Sequence, residues 1–212
     1  MAFQPIENYG VIGNMQSIAL VGMNGSIDFL CYPDFDSPTV FAALLDDLKG
    51  GRFEIRPALS NMRVRQLYLP ETNILITRFL ADEGVAELMD YMPIEEDGEQ
   101  PNEIVRTVSV IRGNLAFEML CQPRFNYAAG EHTLQLSDRS GTFLPADRLC
   151  PPMCLYSTVA LRRESQGLTS TFSLKSGEAA TFVLGSPRPK GQPPEMELIK
   201  QRLLDTAQFW RR

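Results

Sequence analysis

No run of eighteen consecutive apolar residues occurs in the chain, so a conventional membrane-spanning helix is not expected. Histidine is nearly absent. His132 stands alone, and a Ser-His-Asp or Cys-His centre would have to be built on that one ring without an orienting partner marked by any motif. It is expected as a strand-end or loop histidine. Cysteines are few: Cys31, Cys121, Cys150 and Cys154. A chain of 212 residues has core enough to do without disulfide staples. Cys31 and Cys121 lie in strand-like runs, where a free thiol behaves as a small apolar side chain. Cys150 and Cys154 form a C-x-x-x-C, but a zinc site there would have to draw further ligands from the other two cysteines or His132, so no metal and no cofactor is expected. Positive charge is also short. Twenty Lys and Arg stand against 26 Asp and Glu, a net charge of −6, which argues against a nucleic-acid surface. The pairs Arg63/Arg65, Arg162/Arg163 and Arg211/Arg212 are scattered and expected on solvated faces. The opening MAFQPIENYG lacks the basic region and apolar core of a signal peptide, so a cytoplasmic chain is expected, with neither nucleic acid nor membrane as partner.

What is present is strand after strand. With 44% apolar and 22% charged residues the composition is that of a globular protein. Ser17–Val21 and Ser26–Cys31 are apolar-rich runs on either side of Asn24-Gly25, a dipeptide suited to a two-residue hairpin turn with both central residues at positive φ. Ser37-Pro38 followed by Phe41, Leu44, Leu45 and Leu48 predicts a short capped helix near residues 38–48, ended by Gly50-Gly51. Alternation predicts strands at Arg52–Pro57, Met62–Tyr68, Ile74–Leu80 and Val85–Met92. Residues 94–103 are expected as a solvated connection; they lack the order of a calcium loop. Ile104–Ile111 and Leu115–Leu120, separated by Arg112-Gly113-Asn114, are expected as a second hairpin. Shorter strands are expected at Thr133–Leu136, Leu155–Leu161, Leu168–Leu174 and Glu178–Leu184, with turns at Gly141, Gly167 and Ser176-Gly177. The expected fold is all-β: a large antiparallel two-sheet sandwich at 1–186, a Pro-rich linker at 187–194 and an amphipathic helix at 195–212. Met196, Ile199, Leu203 and Trp210, with Leu204 and Ala207, form an apolar stripe that needs a cover.

These runs carry a family resemblance. Tyr9, Ile12-Gly13, Ala19–Val21, Gly25–Asp28, Leu30-Cys31, Pro33, Phe35–Pro38 and Val40-Phe41 resemble the amino-terminal β-sandwich of glycoside hydrolase family 15, the glucoamylase and trehalase-like family. Tyr68-Leu69-Pro70 with Thr72, Asp90–Pro93, Val105-Arg106 with Val108, Arg112-Gly113, and Pro123–Tyr127 extend the resemblance. Asn14 and Asn126 replace family aspartates, which keeps shape and deletes charge. The resemblance implies a galactose-mutarotase-like supersandwich whose final helix connects to an (α/α)6 barrel, where two glutamates carry out an inverting hydrolysis of α-glucosides. This chain contains nothing similar to that barrel, so it is expected to be inactive by itself and to hold no catalytic residue.

Asp34 and Asp36 invite a test as a carboxylate pair. Two apart in an extended segment, their Cα atoms would lie about 7 Å from each other, within the range of an inverting pair, but nothing in the sequence would raise one pKa over the other. Asp36 is instead expected to bond local backbone groups ahead of the predicted helix. Tyr32, Asp34, Phe35, Asp36, Arg124, Asn126 and Tyr127 are the candidates for facing the barrel or a sugar, and Ile199, Leu203 and Trp210 for the interface helix. The rival expectation is a sugar-binding sandwich acting alone, with Tyr32, Phe35, Phe125 and Tyr127 as stacking rings. The uncovered helix stripe also makes self-association an expectation.

Overall fold

Alternation of apolar and polar side chains is carried into fifteen antiparallel strands in the computed structural model, which describes residues 4–95, 101–188 and 193–212. The first layer begins with β1 (Tyr9–Gly13), β2 (Ile18–Gly22), β3 (Ser26–Cys31), β4 (Thr39–Phe41) and β5 (Arg52–Pro57). The second begins with β6 (Arg63–Tyr68), β7 (Leu75–Leu80) and β8 (Gly84–Tyr91). Strand β9 (Glu103–Gln122) belongs to both. Then come β10 (His132–Leu136), β11 (Ser140–Pro145), β12 (Met153–Ser157), β13 (Arg162–Glu164), β14 (Gly167–Lys175) and β15 (Ala179–Gly185). The first layer runs β1-β2-β3-β5-β9-β14-β13 with β4 also on β3, and the second runs β6-β7-β8-β9-β15-β12-β11-β10. Side chains from both layers form one core that includes Ile27, Phe53, Phe117, Leu88, Val108 and Phe182. Phe53 and Phe182 meet edge to face across it, at 6.4 Å and 85°.

Strand β9 corrects the hairpin expected at 104–120. It is continuous over 20 residues. Its first part pairs with β15 and β8, and its second with β5 and β14. Arg112-Gly113-Asn114 reads as a turn because Gly113 does adopt φ +89, but that conformation bends the strand from one layer into the other. A Cβ at Gly113 would lie 2.1 Å from the Glu83 carbonyl oxygen. The first turn also differs from the expectation. Only Gly25 has positive φ (+81), its N–H donates to Gly22 O at 2.9 Å, and the β2–β3 register shifts beside the turn, as in a type I turn closed by a glycine bulge.

The helix expected near 38–48 is absent, and those residues form β4 and a series of turns. Thr39, Val40 and Phe41 are all buried and β4 pairs with β3, so this β-favouring triplet is held by tertiary packing in a sheet. Asp46 Oδ1 then accepts the N–H groups of Leu48 and Lys49, closing the polar turn that follows. Gly141 is inside β11 rather than in a turn, the strand expected over Leu155–Leu161 ends at Ser157, and β11 and β13 were not expected as strands. Residues 96–100 of the acidic connection and 189–192 of the linker lie outside the described residues.

Helix α1 (Met196–Trp210) forms as its periodicity predicts, but its stripe does not lack a cover. Ile199, Leu203 and Ala207 pack on the outer side of the second layer against Ile74, Tyr91, Val105, Tyr156 and Val183. Tyr91 Oη donates to Ile199 O at 3.1 Å, and Ile94 N donates to Thr206 Oγ1 at 3.1 Å. Arg202 pairs with Glu103 at 2.6 Å and Glu95 at 3.1 Å. Trp210 is half-buried with its ring edge-on to Phe209, whereas Met196 and Leu204 stay exposed. The interface expected of Ile199 and Leu203 is thus formed within the chain, and the exposed-stripe ground for self-association is removed.

At the centre of the sandwich lies an ion pair. Arg106 and Asp90 are both 0% exposed and sit directly opposite each other on β9 and β8. Arg106 Nε donates to Asp90 Oδ1 at 2.8 Å and Nη2 to Oδ2 at 3.1 Å. The far side of the guanidinium donates to Gly25 O at 2.8 Å and to Phe53 O in the opposite layer. Removing one partner strands a buried charge, so Arg106→Met or Asp90→Leu is expected to cost about 3–5 kcal/mol in urea unfolding. The double variant should recover much of that loss. Ile199→Ala, at the helix seam, is expected to cost about 2 kcal/mol in the same assay.

Candidate functional site

The seven candidates in the loops do not converge on one pocket. Tyr32 is 4% exposed. Its Oη donates to Asn102 O at 3.0 Å and lies 2.9 Å from Ser186 Oγ, so the ring ties loop to loop and is closed to a stacking sugar. Asp34 Oδ1 accepts Gln16 Nε2 at 2.7 Å, and the Asp34 N–H donates to Ser37 Oγ at 3.1 Å. Asp34 and Ser37, rather than Asp36, therefore close this loop, and Asp36 is exposed. Phe35 is 53% exposed at its tip.

Arg124, Asn126 and Tyr127 belong to a second loop that docks on the free side of β4. Arg124 N donates to Val40 O and Asn126 N to Thr39 O, each at 2.8 Å, and Tyr127 N donates to Thr39 Oγ1 at 2.9 Å. Three successive residues, Asn126, Tyr127 and Ala128, have φ of 53, 55 and 65°, a left-handed turn that costs roughly 1–2 kcal/mol per residue for non-glycine side chains. These bonds to β4 offset that strain. Tyr127, 57% exposed, borders a cleft of about 320 Å³ with Leu45, Asp46 and Lys49. Tyr32 instead borders a gap of about 10 Å³ with Asn14, Met92 and Asn102. Arg124 Nη1 is held by Gln166 Oε1 at 2.7 Å. Phe125 is buried.

The two asparagines at positions where the resemblance implies aspartates have local reasons. Asn14, 2% exposed, accepts the N–H groups of Gln16 at 3.1 Å and Ser17 at 2.9 Å on its amide oxygen. A neutral acceptor does this without burying charge. Asn126 is among the residue types that best tolerate its left-handed φ. Neither position shows a missing charge.

The cysteines are all free and buried. Cys150 faces the inner core and Cys154 the cluster under α1, so the C-x-x-x-C spacing does not bring its sulfurs onto one side. Among the described residues no group of three or more His, Cys, Asp or Glu is placed to hold a metal ion. His132 sits in β10 between the edges of Phe125 and Phe143, at 5.3 and 5.5 Å, with Nε2 2.8 Å from Gln166 O. Sequence reasoning missed Asp90 and Arg106 as the central pair, although a lone arginine amid Ile104, Val105 and Val108 was the available signal.

Among the described residues the chain is a two-layer sandwich with one face sheathed by α1 and its candidate loops tied by their own hydrogen bonds. The chain belongs to the "trehalase-like, N-terminal" family, which matches residues 2–173. A "Trehalase 1" of Sulfolobus acidocaldarius is 36% identical over 203 residues, 95% of this chain and 33% of the relative. A trehalase of Thermoplasma volcanium is 31% identical over 183 residues, 85% of this chain and 27% of the relative. A trehalase of Mycolicibacterium smegmatis is 29% identical over 143 residues, 59% of this chain and 21% of the relative. The chain thus spans about a third or less of these curated relatives.

Burial among phenyl rings lowers the pKa of His132 from its ordinary 6.5, against the opposing bond to Gln166 O, with Arg124 and Arg163 adding repulsion. The unfolded chain therefore takes up this proton first as pH falls. The stabilisation is complete above about pH 6.5 and is lost as pH drops through the lowered folded value. Urea midpoints are expected to fall between pH 7.5 and 5.5, and His132→Gln to flatten that slope.

Proposed function

We propose that this region is the non-catalytic amino-terminal domain of a family 15 glycoside hydrolase acting on an α-glucosidic bond, with trehalose the favoured substrate over maltodextrins and isomaltodextrins. Cleavage, by inversion, takes place in an (α/α)6 barrel joined beyond α1. The observation that carries this reading is the match to trehalases over a third or less of their length. Asp34 accepts a hydrogen bond from Gln16 and Asp36 is turned out to solvent. Phe35, Asp36 and Tyr127 remain accessible for packing against the barrel and narrowing its sugar entrance. Four buried free thiols suit a reducing compartment, consistent with a cytoplasmic protein.

A sugar-binding sandwich acting alone is the second reading, favoured by the open rings of Phe35 and Tyr127 but weakened by the burial of Tyr32 and Phe125. The purified 212-residue chain is expected to release no glucose from trehalose, maltose or maltotriose in a coupled glucose assay. Substituted for the matching region of the Sulfolobus acidocaldarius relative, it is expected to support trehalose hydrolysis. Glucose release by the chain alone would overturn the proposal.

A further inference from the structure

Two neighbouring turn tips at one end of the sandwich hold apolar side chains outside the core. Between β1 and β2, Asn14 Oδ1 takes the Gln16 and Ser17 N–H groups, and Ser17 Oγ donates to Cys31 O at 2.6 Å. Asn14 and Ser17 are buried, but Met15 between them is 58% exposed and has φ +68. A left-handed backbone favours glycine or asparagine, and a solvated tip favours a polar side chain; methionine answers neither demand. Phe35, at the tip of the 32–38 loop, is likewise exposed. Its N–H donates to Gln16 O at 3.0 Å, which places the two tips side by side.

Helix α1 finishes at the same end. Arg211 Nε donates to Pro70 O at 3.3 Å, in the turn between β6 and β7. From that turn Asn73 reaches β1, where its Oδ1 accepts Gly13 N at 2.6 Å and its Nδ2 donates to Val11 O at 3.1 Å. Hydrogen bonds and short chain segments thus lead from the last turn of α1 to Gly13, Met15 and Phe35. We propose that the β1–β2 tip and the 32–38 loop form the seat on which the domain attached beyond α1 docks, with Met15 and Phe35 as its apolar anchors. This rests on the reading that such a domain follows the helix, which the match to a third of the Sulfolobus acidocaldarius relative supports.

The chemistry of the seat suits a polypeptide surface. A flexible thioether moulds to irregular side-chain packing and is a weak acceptor for hydroxyl groups. The donors beside the anchors are engaged within the loops: Gln16 Nε2 on Asp34 Oδ1 at 2.7 Å, and the Asp34 N–H on Ser37 Oγ at 3.1 Å. Tethering favours the attached domain over a second copy, because α1 delivers it to this corner at an effective concentration of roughly millimolar order. Domain interfaces within a chain bury roughly 600–1,500 Å². Met15 and Phe35 are therefore the centre of the seat, and the exposed Asp36 and Glu71 belong to its polar rim.

The test is hydroxyl-radical footprinting of the 212-residue chain and of the chimera in which it replaces the matching region of the Sulfolobus acidocaldarius relative. Oxidation of Met15 and Phe35 is expected to fall about five-fold in the chimera, as for side chains at the dry centre of an interface. Ile111, exposed beside the β14–β15 turn at the opposite end, is expected to react equally in both. Footprinting reads the contact whether or not the chimera hydrolyses trehalose, so this inference and the catalytic reading fail separately. Met15→Asn combined with Phe35→Ser is expected to lower the thermal midpoint of the chimera by several degrees while the urea midpoint of the 212-residue chain does not fall. The proposal is overturned if Met15 and Phe35 are oxidised equally in both proteins, or if protection in the chimera centres on Tyr127 and Leu48. It is also overturned if the 212-residue chain protects them by itself at high concentration, which would assign the seat to a second copy, or in about 50 mM trehalose, which would assign it to a sugar. A double variant that destabilises the 212-residue chain overturns it as well, since both residues would then serve the fold.

Discussion

The structure depends on a guanidinium held between two sheets. Arg106 lies on the half of β9 that belongs to the second layer, yet two of its hydrogen bonds end on main-chain carbonyls of the first, at Gly25 and Phe53. Its ring neighbour is again Phe53, with the guanidinium carbon 4.7 Å from the ring centroid. Desolvating Arg106 and Asp90 costs several kcal/mol per ion in effective terms, and the arrangement is tolerable only because the carboxylate and both carbonyls take up the available N–H groups. That requirement propagates. Gly25 O must face inward, which fixes the bulged turn after β2, and a Cβ at Gly25 would strike Ile55 O at 2.2 Å. Phe53 must sit in register with Cys121 on the other half of β9. A one-residue slip in either layer would turn the carbonyl or the arginine out of the core. The pair thus acts on register as well as stability.

The same logic explains why the aspartate-proline loop and the Arg124–Tyr127 loop, which the family resemblance brings forward together, are anchored differently. The first closes on its own residues and on Gln16. The second docks on the first layer, where the Arg124 and Asn126 N–H groups donate to the Val40 and Thr39 carbonyls of β4. Thr39 is the shared element: its place in β4 is set by Cys31 on one side, while its carbonyl and hydroxyl hold the left-handed turn on the other. A helix at 38–48 would have removed that edge and left the 124–128 turn without the bonds that compensate its strain.

Local chemistry was legible where one face of a strand meets solvent. Arg52–Pro57 alternates in sequence and alternates in burial, and β5 has those bounds; β7, β8, β15 and α1 were nearly as clear. It failed where a residue type serves two uses. Gly25 was rightly read as a positive-φ position and Gly113 as a turn glycine, but the sequence does not distinguish a glycine that reverses a chain from one that bends it between layers. Ser37-Pro38 fits a helix start equally well in isolation, and only the burial of all three residues of β4 decides against it. The candidate site was legible as a set of loops and not as a pocket, because rings such as Tyr32 and Phe125 are sorted into core or surface by contacts from distant strands. Family motifs at Asp90 and Arg106 were visible as well, but what they do depends on two carbonyls that no sequence pattern marks.

Charge in this domain is handled according to burial. In the core Asp90 and Arg106 answer each other, and beside α1 Glu103 bridges Arg188 and Arg202, although the Nε of each of these two arginines is buried without a hydrogen-bond partner among the described residues. Asp28 shows that the outer face of the first layer can be finished in the same way, since Ser26 Oγ and Tyr9 Oη each donate to its carboxylate, at 2.5 and 2.8 Å. Glu54, across from Ser26 on β5, is more open: its side chain is 19% exposed against 6% for Asp28, and it lies 3.6 Å from Arg56 Nε. The difference between these two neighbouring carboxylates follows from their exposure, since the one closed off from water is given protein donors and the other keeps access to solvent and to an arginine.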